Sequence, residues 1–300
     1  MSNHKPAPPD NFAAYWERID SELDRYPAAP ELTEVPLRSA EFATTYEVRL
    51  TSIGPYRIFG WLSVPHGDGP FPALLHTPRY GSVVAVPHYD ERERYVVLSL
   101  VHRGQRLADQ PFAAAYPGLL THGIDDPATY IYRDIAADVL RGAEYLLAQP
   151  DIDPARVGIA GNDLALIAAA RRPGFTALQI TDLLFYRLME ARQRTEAYPI
   201  EEINDHLRQS PEREDLVAAT LSYFDPIHHA PGVTATTLLP TGESDTMTGA
   251  EWLERLTSAL GGPVEPYHVT HEGGTDHDAI DAWMAGKLGA EPRPRIWSIA

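Results

Sequence analysis

Val157-Gly158-Ile159-Ala160-Gly161-Asn162-Asp163-Leu164-Ala165 decides how the rest of the chain is read. It opens as a short strand without a polar residue, turns at Gly161-Asn162, and runs into an alanine-rich stretch ending at Ala170. An apolar strand, a sharp turn and a helix together are the setting of a nucleophile elbow, whose serine form reads Gly-x-Ser-x-Gly. Here the central residue is Asp163 and the last glycine is Ala165. The central residue of an elbow is expected in a strained left-handed conformation, which Asp tolerates better than most residues.

Outward from the elbow, short apolar runs recur at residues 71–75, 95–101, 177–180, 236–239 and 267–269. Such runs suit strands buried on both faces, hence a parallel sheet. Helical patterns lie between them. Ile131, Ile135, Val139, Leu140, Ala143 and Leu147 form a stripe over residues 127–148, and residues 249–260 and 276–288 read as further helices. Upstream, Phe12, Tyr15, Trp16, Ile19 and Leu23 mark an amphipathic helix over residues 10–24, ended by Pro27 and Pro30. Residues 46–50 alternate as a half-buried strand does, and residues 56–64 are its hairpin partner across Gly54-Pro55. The expectation is one α/β domain over residues 1–300, a mostly parallel doubly wound sheet with an amino-terminal antiparallel hairpin. A helical extension occupies residues 1–40, and a helical lid or cap is inserted at residues 184–230, where the alternation breaks.

Composition narrows the function. With 42 acidic and 25 basic residues the formal charge is −17, which disfavours counterion release from nucleic acid and docking on an anionic membrane. The absence of cysteine excludes a disulfide scaffold, a thiolate zinc site and a cysteine nucleophile. The longest apolar run, residues 164–170, is far short of the roughly 20 residues that span a bilayer. The start, Met1-Ser2-Asn3-His4-Lys5-Pro6, lacks a signal-peptide core, so a cytoplasmic location is expected. The 27 prolines are spread along the chain and read as loop punctuation. Neither a glycine-rich dinucleotide fingerprint nor a Walker loop is present, so no cofactor is expected, and the partner is a small-molecule substrate.

In a doubly wound sheet, chemistry sits at the carboxyl ends of strands. After residues 236–239 comes Gly242-Glu243-Ser244-Asp245-Thr246, and after residues 267–269 comes Thr270-His271-Glu272-Gly273-Gly274. The order is elbow residue, acid, histidine: Asp163, Asp245, His271. A carboxylate with an ordinary pKa near 4 is ionised at pH 7 and needs no base before it attacks. Attack on an ester carbonyl would give an anhydride, so a carbon–halogen bond or an epoxide suits Asp163 better, through an alkyl ester that water activated by His271 then cleaves. The backbone N–H of Leu164 would hold the oxyanion. Alternatively Asp163 acts as general base on water attacking a small ester.

These and other short stretches resemble the acetyl xylan esterase / cephalosporin-C deacetylase family of α/β-hydrolases over roughly residues 9–288. They are Phe12-x-x-Tyr15-Trp16, Arg103-Gly104-Gln105, Asp126-Pro127-x-x-Tyr130-x-Tyr132-Arg133, Arg156-Val157-Gly158, Ser222-Tyr223-Phe224-Asp225, Gly242-x-x-Asp245-Thr246 and His271-Glu272-Gly273-Gly274. The resemblance implies an α/β-hydrolase fold, a hydrolase of small acetyl esters, and often a ring-shaped homo-oligomer. Two departures stand out. The family's Gly-Gly-Ser-Gln-Gly elbow is Gly161-Asn162-Asp163-Leu164-Ala165 here, and its His-Gly-Tyr oxyanion segment is His76-Thr77-Pro78-Arg79-Tyr80-Gly81, where Pro78 has no N–H to give.

Each candidate has a plainer reading. A polar Asp163 with a buried His271–Asp245 pair also fits an inactive esterase-like binding or scaffold protein. His271, Asp276, His277 and Asp278 read as a metal set or as a loop and acidic helix start, and the second is preferred, so no metal is expected. His228-His229 reads as a loop pair. Arg79 and Tyr80 suit an anionic leaving group or substrate carboxylate, or a solvated loop. Tyr186, Tyr198 and Tyr223 line a pocket under the lid or simply pack. Asp90-Glu91-Arg92-Glu93-Arg94 reads as an exposed, self-paired charge run.

Overall fold

The apolar runs pair side by side because each has two faces to hide. In the computed structural model, which describes residues 7–294, the strands are β1 (Glu31–Glu34), β2 (Ala43–Thr51), β3 (Arg57–Pro65), β4 (Phe71–His76), β5 (Val96–Val101), β6 (Ile152–Gly161), β7 (Ala177–Ile180), β8 (Thr236–Thr241) and β9 (Val264–His268). The helices are α1 (Phe12–Arg25), α2 (Tyr89–Arg94), α3 (Ile131–Leu147), α4 (Asp163–Arg171), α5 (Leu188–Ala191), α6 (Glu201–Gln209), α7 (Glu214–Leu221), α8 (Pro226–His229), α9 (Ala250–Ala259) and α10 (Gly273–Leu288). Among the described residues the nine strands form one sheet in the order β1-β2-β3-β5-β4-β6-β7-β8-β9.

The strands from β1 to β3 run antiparallel to their neighbours, and those from β4 to β9 are mutually parallel. This is the α/β-hydrolase architecture, with the expected hairpin at β2 and β3. After β4 the chain steps to one side for β5 and to the other for β6, so strand order reverses between β4 and β6. That reversal opens a crevice at their carboxyl ends.

β6 serves both faces. Val157 and Ile159 point into the larger core with α1, α3 and α4, while Ala160 joins Leu74, Tyr95, Val97, Met284 and Leu288 on the side of α10. Gly161 has φ +154°, and a Cβ there would stand 1.9 Å from the Thr77 hydroxyl. The elbow strand thus approaches the end of β4 more closely than any side chain permits.

Three expectations change. The extension over residues 1–40 contains β1 besides its helix. Every residue of β1 is exposed, so no apolar alternation announced it. The helix is also integral to the fold: Trp16, Ile19 and Leu23 are buried, and the Trp16 indole donates to the Tyr223 carbonyl at 3.3 Å. The run 90–94 is part of α2 and is self-paired only between Asp90 and Arg94, at 3.8 Å. Its charges reach across the fold: Glu91 to His76, Arg92 to the Arg38 carbonyl at 2.5 Å, and Arg94 to Asp281 at 2.6 Å. Residues 184–230 carry α5 to α8. No helix among the described residues is long and apolar enough to cross a membrane.

Candidate active site

Asp163 is the first residue of α4, and Asn162 is its N-cap. The Asn162 side chain accepts the Leu164 N–H at 3.0 Å, as a short polar residue before a helix is expected to do. This cap takes the donor that the sequence assigned to an oxyanion. The elbow is relaxed as well. Asp163 is not among the residues with positive φ; those near the candidate chemistry are Asp245 (φ +66°) and His271 (φ +64°). The left-handed strain expected at position 163 sits instead on the two loops that follow β8 and β9.

The Asp163 side chain is wholly buried. Both carboxyl oxygens accept backbone N–H groups, from Leu184 at 2.5 Å and from Phe185 at 3.1 Å. The carboxyl thus pins the start of the 184–230 insertion to the elbow. Burial raises its pKa to about 8, opposed by the two N–H groups, which favour the anion, and assisted by the Asp182 charge. The ordinary pKa assumed from sequence does not hold, because desolvation outweighs the hydrogen bonds.

Beside it lies a cleft of about 340 Å³, walled by Tyr186, Ala191 and Ile200 from the insertion and by Leu239, Met247, Trp252 and Leu253 from the sheet side. His271 lines this cleft, whereas Asp163, Asp245 and Leu164 do not. No hydrogen bond joins Asp163, Asp245 and His271 among the described residues. Thr241 pairs with His268 across β8 and β9, so the Asp245 and His271 loops leave adjacent strands at the same end. The His271 loop is held by its backbone: the N–H donates to Asp276 Oδ2 at 3.0 Å.

The other candidates scatter. Tyr186 is buried in the cleft wall, and its hydroxyl donates to the Trp252 carbonyl at 3.0 Å. Burial pushes that phenol up to about 12. The Tyr80 hydroxyl donates to Glu202 and faces neither cleft described here. Arg79 lines a second, larger cleft on the α10 side of the sheet. Asp276 is taken up by the Tyr267 hydroxyl and by the Thr270 and His271 backbone, and among the described residues no group of three or more His, Asp or Glu is placed to hold a metal. His229 packs edge-on against Phe12 and Trp16, with its imidazole pushed down to about 3 by burial.

Sequence reasoning passed over Trp252, Met247 and Leu253 as cleft residues, since nothing local separates a cleft wall from a core face. It also passed over His76, although His76 ends a strand and the rule of reading strand ends would have found it.

Comparison with known proteins bears on this arrangement. The acetyl xylan esterase (AXE1) family model matches residues 2–251. The match takes in Asp163 and Asp245 and stops before His271, short of the residue 288 expected from sequence. The acetyl esterase Axe7A of Xylanibacter ruminicola is 23% identical over 263 residues, covering 79% of this chain and 57% of that protein. The chain thus spans little more than half the length of this curated relative. The acetyl xylan esterase from Paenibacillus sp. R4 superposes with a TM-score of 0.80 at 22% identity, over 94% of this chain and 96% of the other. Acetyl xylan esterase 1 from Thermoanaerobacterium sp. JW/SL YS485 does so with a TM-score of 0.79 at 22% identity, over 94% and 95%.

Proposed function

The chain belongs to the acetyl xylan esterase family of hydrolases, and on that premise we propose that it hydrolyses small carboxylic esters in the His271 cleft, with water rather than residue 163 as the nucleophile. The observation that carries this reading is the contrast between two side chains. Asp163 is sealed and hydrogen-bonded at both oxygens, while His271 lines the apolar cleft.

The step is balanced without a covalent intermediate. The His271 imidazole takes a proton from water as the water oxygen bonds to the ester carbonyl carbon. The tetrahedral anion then expels the alkoxide, which leaves as alcohol with the proton from the imidazolium. Asp245, exposed on the neighbouring loop and without a hydrogen bond to His271 in this structure, is the acid assigned to orient it when substrate is bound. The apolar walls hold the acyl or alkyl group, while the exposed His271 meets water at the cleft mouth.

A second reading is favoured by one observation: the Leu164 N–H is spent on the helix cap. A site without that donor suits a protein that binds an ester-like ligand without turnover.

The experiment is a mixed panel of short acyl esters, haloalkanoates and epoxides, followed by mass spectrometry in the wild type, Asp163→Asn and His271→Ala. Ester hydrolysis is expected to survive Asp163→Asn within about tenfold and to fall at least about hundredfold in His271→Ala. Haloalkanoate or epoxide turnover lost in Asp163→Asn, with an alkyl group captured on Asp163, would instead establish an Asp163 nucleophile in an Asp163–His271–Asp245 triad. Saturable ester binding with no turnover would establish the binding protein.

A further inference from the structure

The larger cleft, about 650 Å³, opens at the carboxyl ends of β4, β6 and β7 on the side of the sheet covered by α2 and α10. It lies where strand order reverses, the position at which open α/β sheets receive ligands. Asp163 and His271 are not among its lining residues. Its floor is apolar, with Leu74, Tyr95, Ile280 and Met284.

The charges in this cleft are unequally answered. Glu91 accepts from His76 Nε2 at both oxygens, at 3.1 and 3.0 Å. Asp281 pairs with Arg94 at 2.6 and 3.2 Å and also accepts the Arg293 N–H at 2.7 Å. Asp276 accepts from Tyr267, Thr270 and His271. Asp90 lies 3.8 Å from both Arg94 and Arg293. Every acid lining the cleft therefore has cationic or N–H/O–H partners.

Some donors do not. Among the described residues the Arg79 guanidinium and the imidazoles of His88 and His277 have no side-chain hydrogen-bond or ion-pair partner, and His76 has none at Nδ1; of these groups Arg79 alone carries a permanent charge. Arg79 is near enough for its charge to oppose protonation of His76, while Glu91 favours it and the imidazole is raised above its ordinary value. Arg79 is also fixed at its backbone. The buried Gln105 amide donates to the Arg79 carbonyl at 3.0 Å and to the Gly81 carbonyl at 2.6 Å, which positions the segment from which the guanidinium projects.

We propose that this cleft, which adjoins the His271 cleft across Ile180, Thr181, Pro240 and Val269, is a binding site for a small organic monocarboxylate, with the carboxylate on Arg79 and the His76 imidazolium and the apolar tail on Leu74, Ile280 and Met284. With Nε2–H given to Glu91, His76 offers an N–H at Nδ1 as the imidazolium of that ion pair, and a guanidinium beside it matches the two oxygens of a carboxylate. The apolar floor favours a carboxylate with a hydrocarbon body over inorganic phosphate.

The test is titration calorimetry of the whole chain with hexanoate, hexanol and inorganic phosphate, at low ionic strength in a carboxylate-free buffer. Hexanoate is expected to bind, and both hexanol and phosphate to bind at least about tenfold more weakly. Arg79→Met is expected to weaken hexanoate by about tenfold or more, while Leu253→Trp, which fills the other cleft, leaves it unchanged. Arg79 is exposed, so its replacement leaves the fold intact. Loss of hexanoate binding in Leu253→Trp but not in Arg79→Met would place the ligand in the His271 cleft and overturn the proposal. Absence of hexanoate binding to the wild type, or equal binding of hexanol, would overturn it too. None of these outcomes depends on whether the chain hydrolyses esters.

Discussion

Asp163→Leu is expected to lower the unfolding free energy by about 2–6 kcal/mol, because it leaves two buried N–H groups without an acceptor, each costing about 1–3 kcal/mol. Leucine has similar bulk and ends the burial of a polar group, which offsets part of the loss. The orphaned donors win because Leu184 and Phe185 are both buried and adjacent, so both N–H groups lose their acceptor in one place. The wild type should also carry a pH signature. Its folded pKa of about 8 lies well above the ordinary value near 4, so between those limits the folded state keeps a proton that the unfolded state has released. The contribution of this group is fully present below about pH 4 and is lost as pH rises through 8, at about 1.4 kcal/mol per pH unit in between. Asp163→Asn has no such proton. Urea unfolding at pH 6, 7 and 8 should show the stability gap between wild type and Asp163→Asn narrowing by about that amount per unit. A constant gap would mean that the two N–H groups hold an anion throughout, as a nucleophile would require.

Asp138→Ala is expected to cost about 3–5 kcal/mol, the range for breaking one side of a buried ion pair. Asp138 is wholly buried on α3 and accepts from Arg103 three times: from the backbone N–H at 2.9 Å, from Nε at 2.9 Å and from Nη2 at 2.7 Å. Asp134 also meets the guanidinium, at 2.7 Å, but it is one-third exposed and cannot replace a buried bidentate partner. Chemical denaturation measures the loss. Arg103 precedes Gly104 and Gln105, whose amide fixes the Arg79 segment, so a second effect is expected: faster amide exchange over residues 79–81 in folded Asp138→Ala than in the wild type. A loss below about 1 kcal/mol would show that Asp134 alone neutralises Arg103. In this light the Arg-Gly-Gln turn is a device for holding the cleft rim, since its side chains end on backbone, on Asp134 and Asp138 and on the Ser52 hydroxyl.

The resemblance to the acetyl xylan esterases was legible because it rested on short segments at strand ends, and the α/β-hydrolase sheet was legible because apolar runs between amphipathic helices have few other solutions. The candidate site was legible only as an order of residues. Asp163, Asp245 and His271 come in the family's sequence order, and β8 and β9 do send the last two out together. The Asn162 cap was readable locally, as an Asn directly before a helix, but nothing local revealed that the insertion would return at Leu184 and Phe185 to enclose the Asp163 carboxyl. The charge run at 90–94 misled for the same reason, since alternating signs look self-paired until helix α2 faces His76 and α10.

By itself, then, the sequence determined the sheet, the helices that cover it, and the position of the elbow, all of which follow from side-chain periodicity along a few consecutive residues. The tertiary structure alone decided the burial of the Asp163 carboxyl and its N–H partners at Leu184 and Phe185, the walls of both clefts and the unpaired guanidinium of Arg79. Those depend on burial and on partners up to a hundred residues or more away, and the strength of a charge or hydrogen bond is set by what is packed around it.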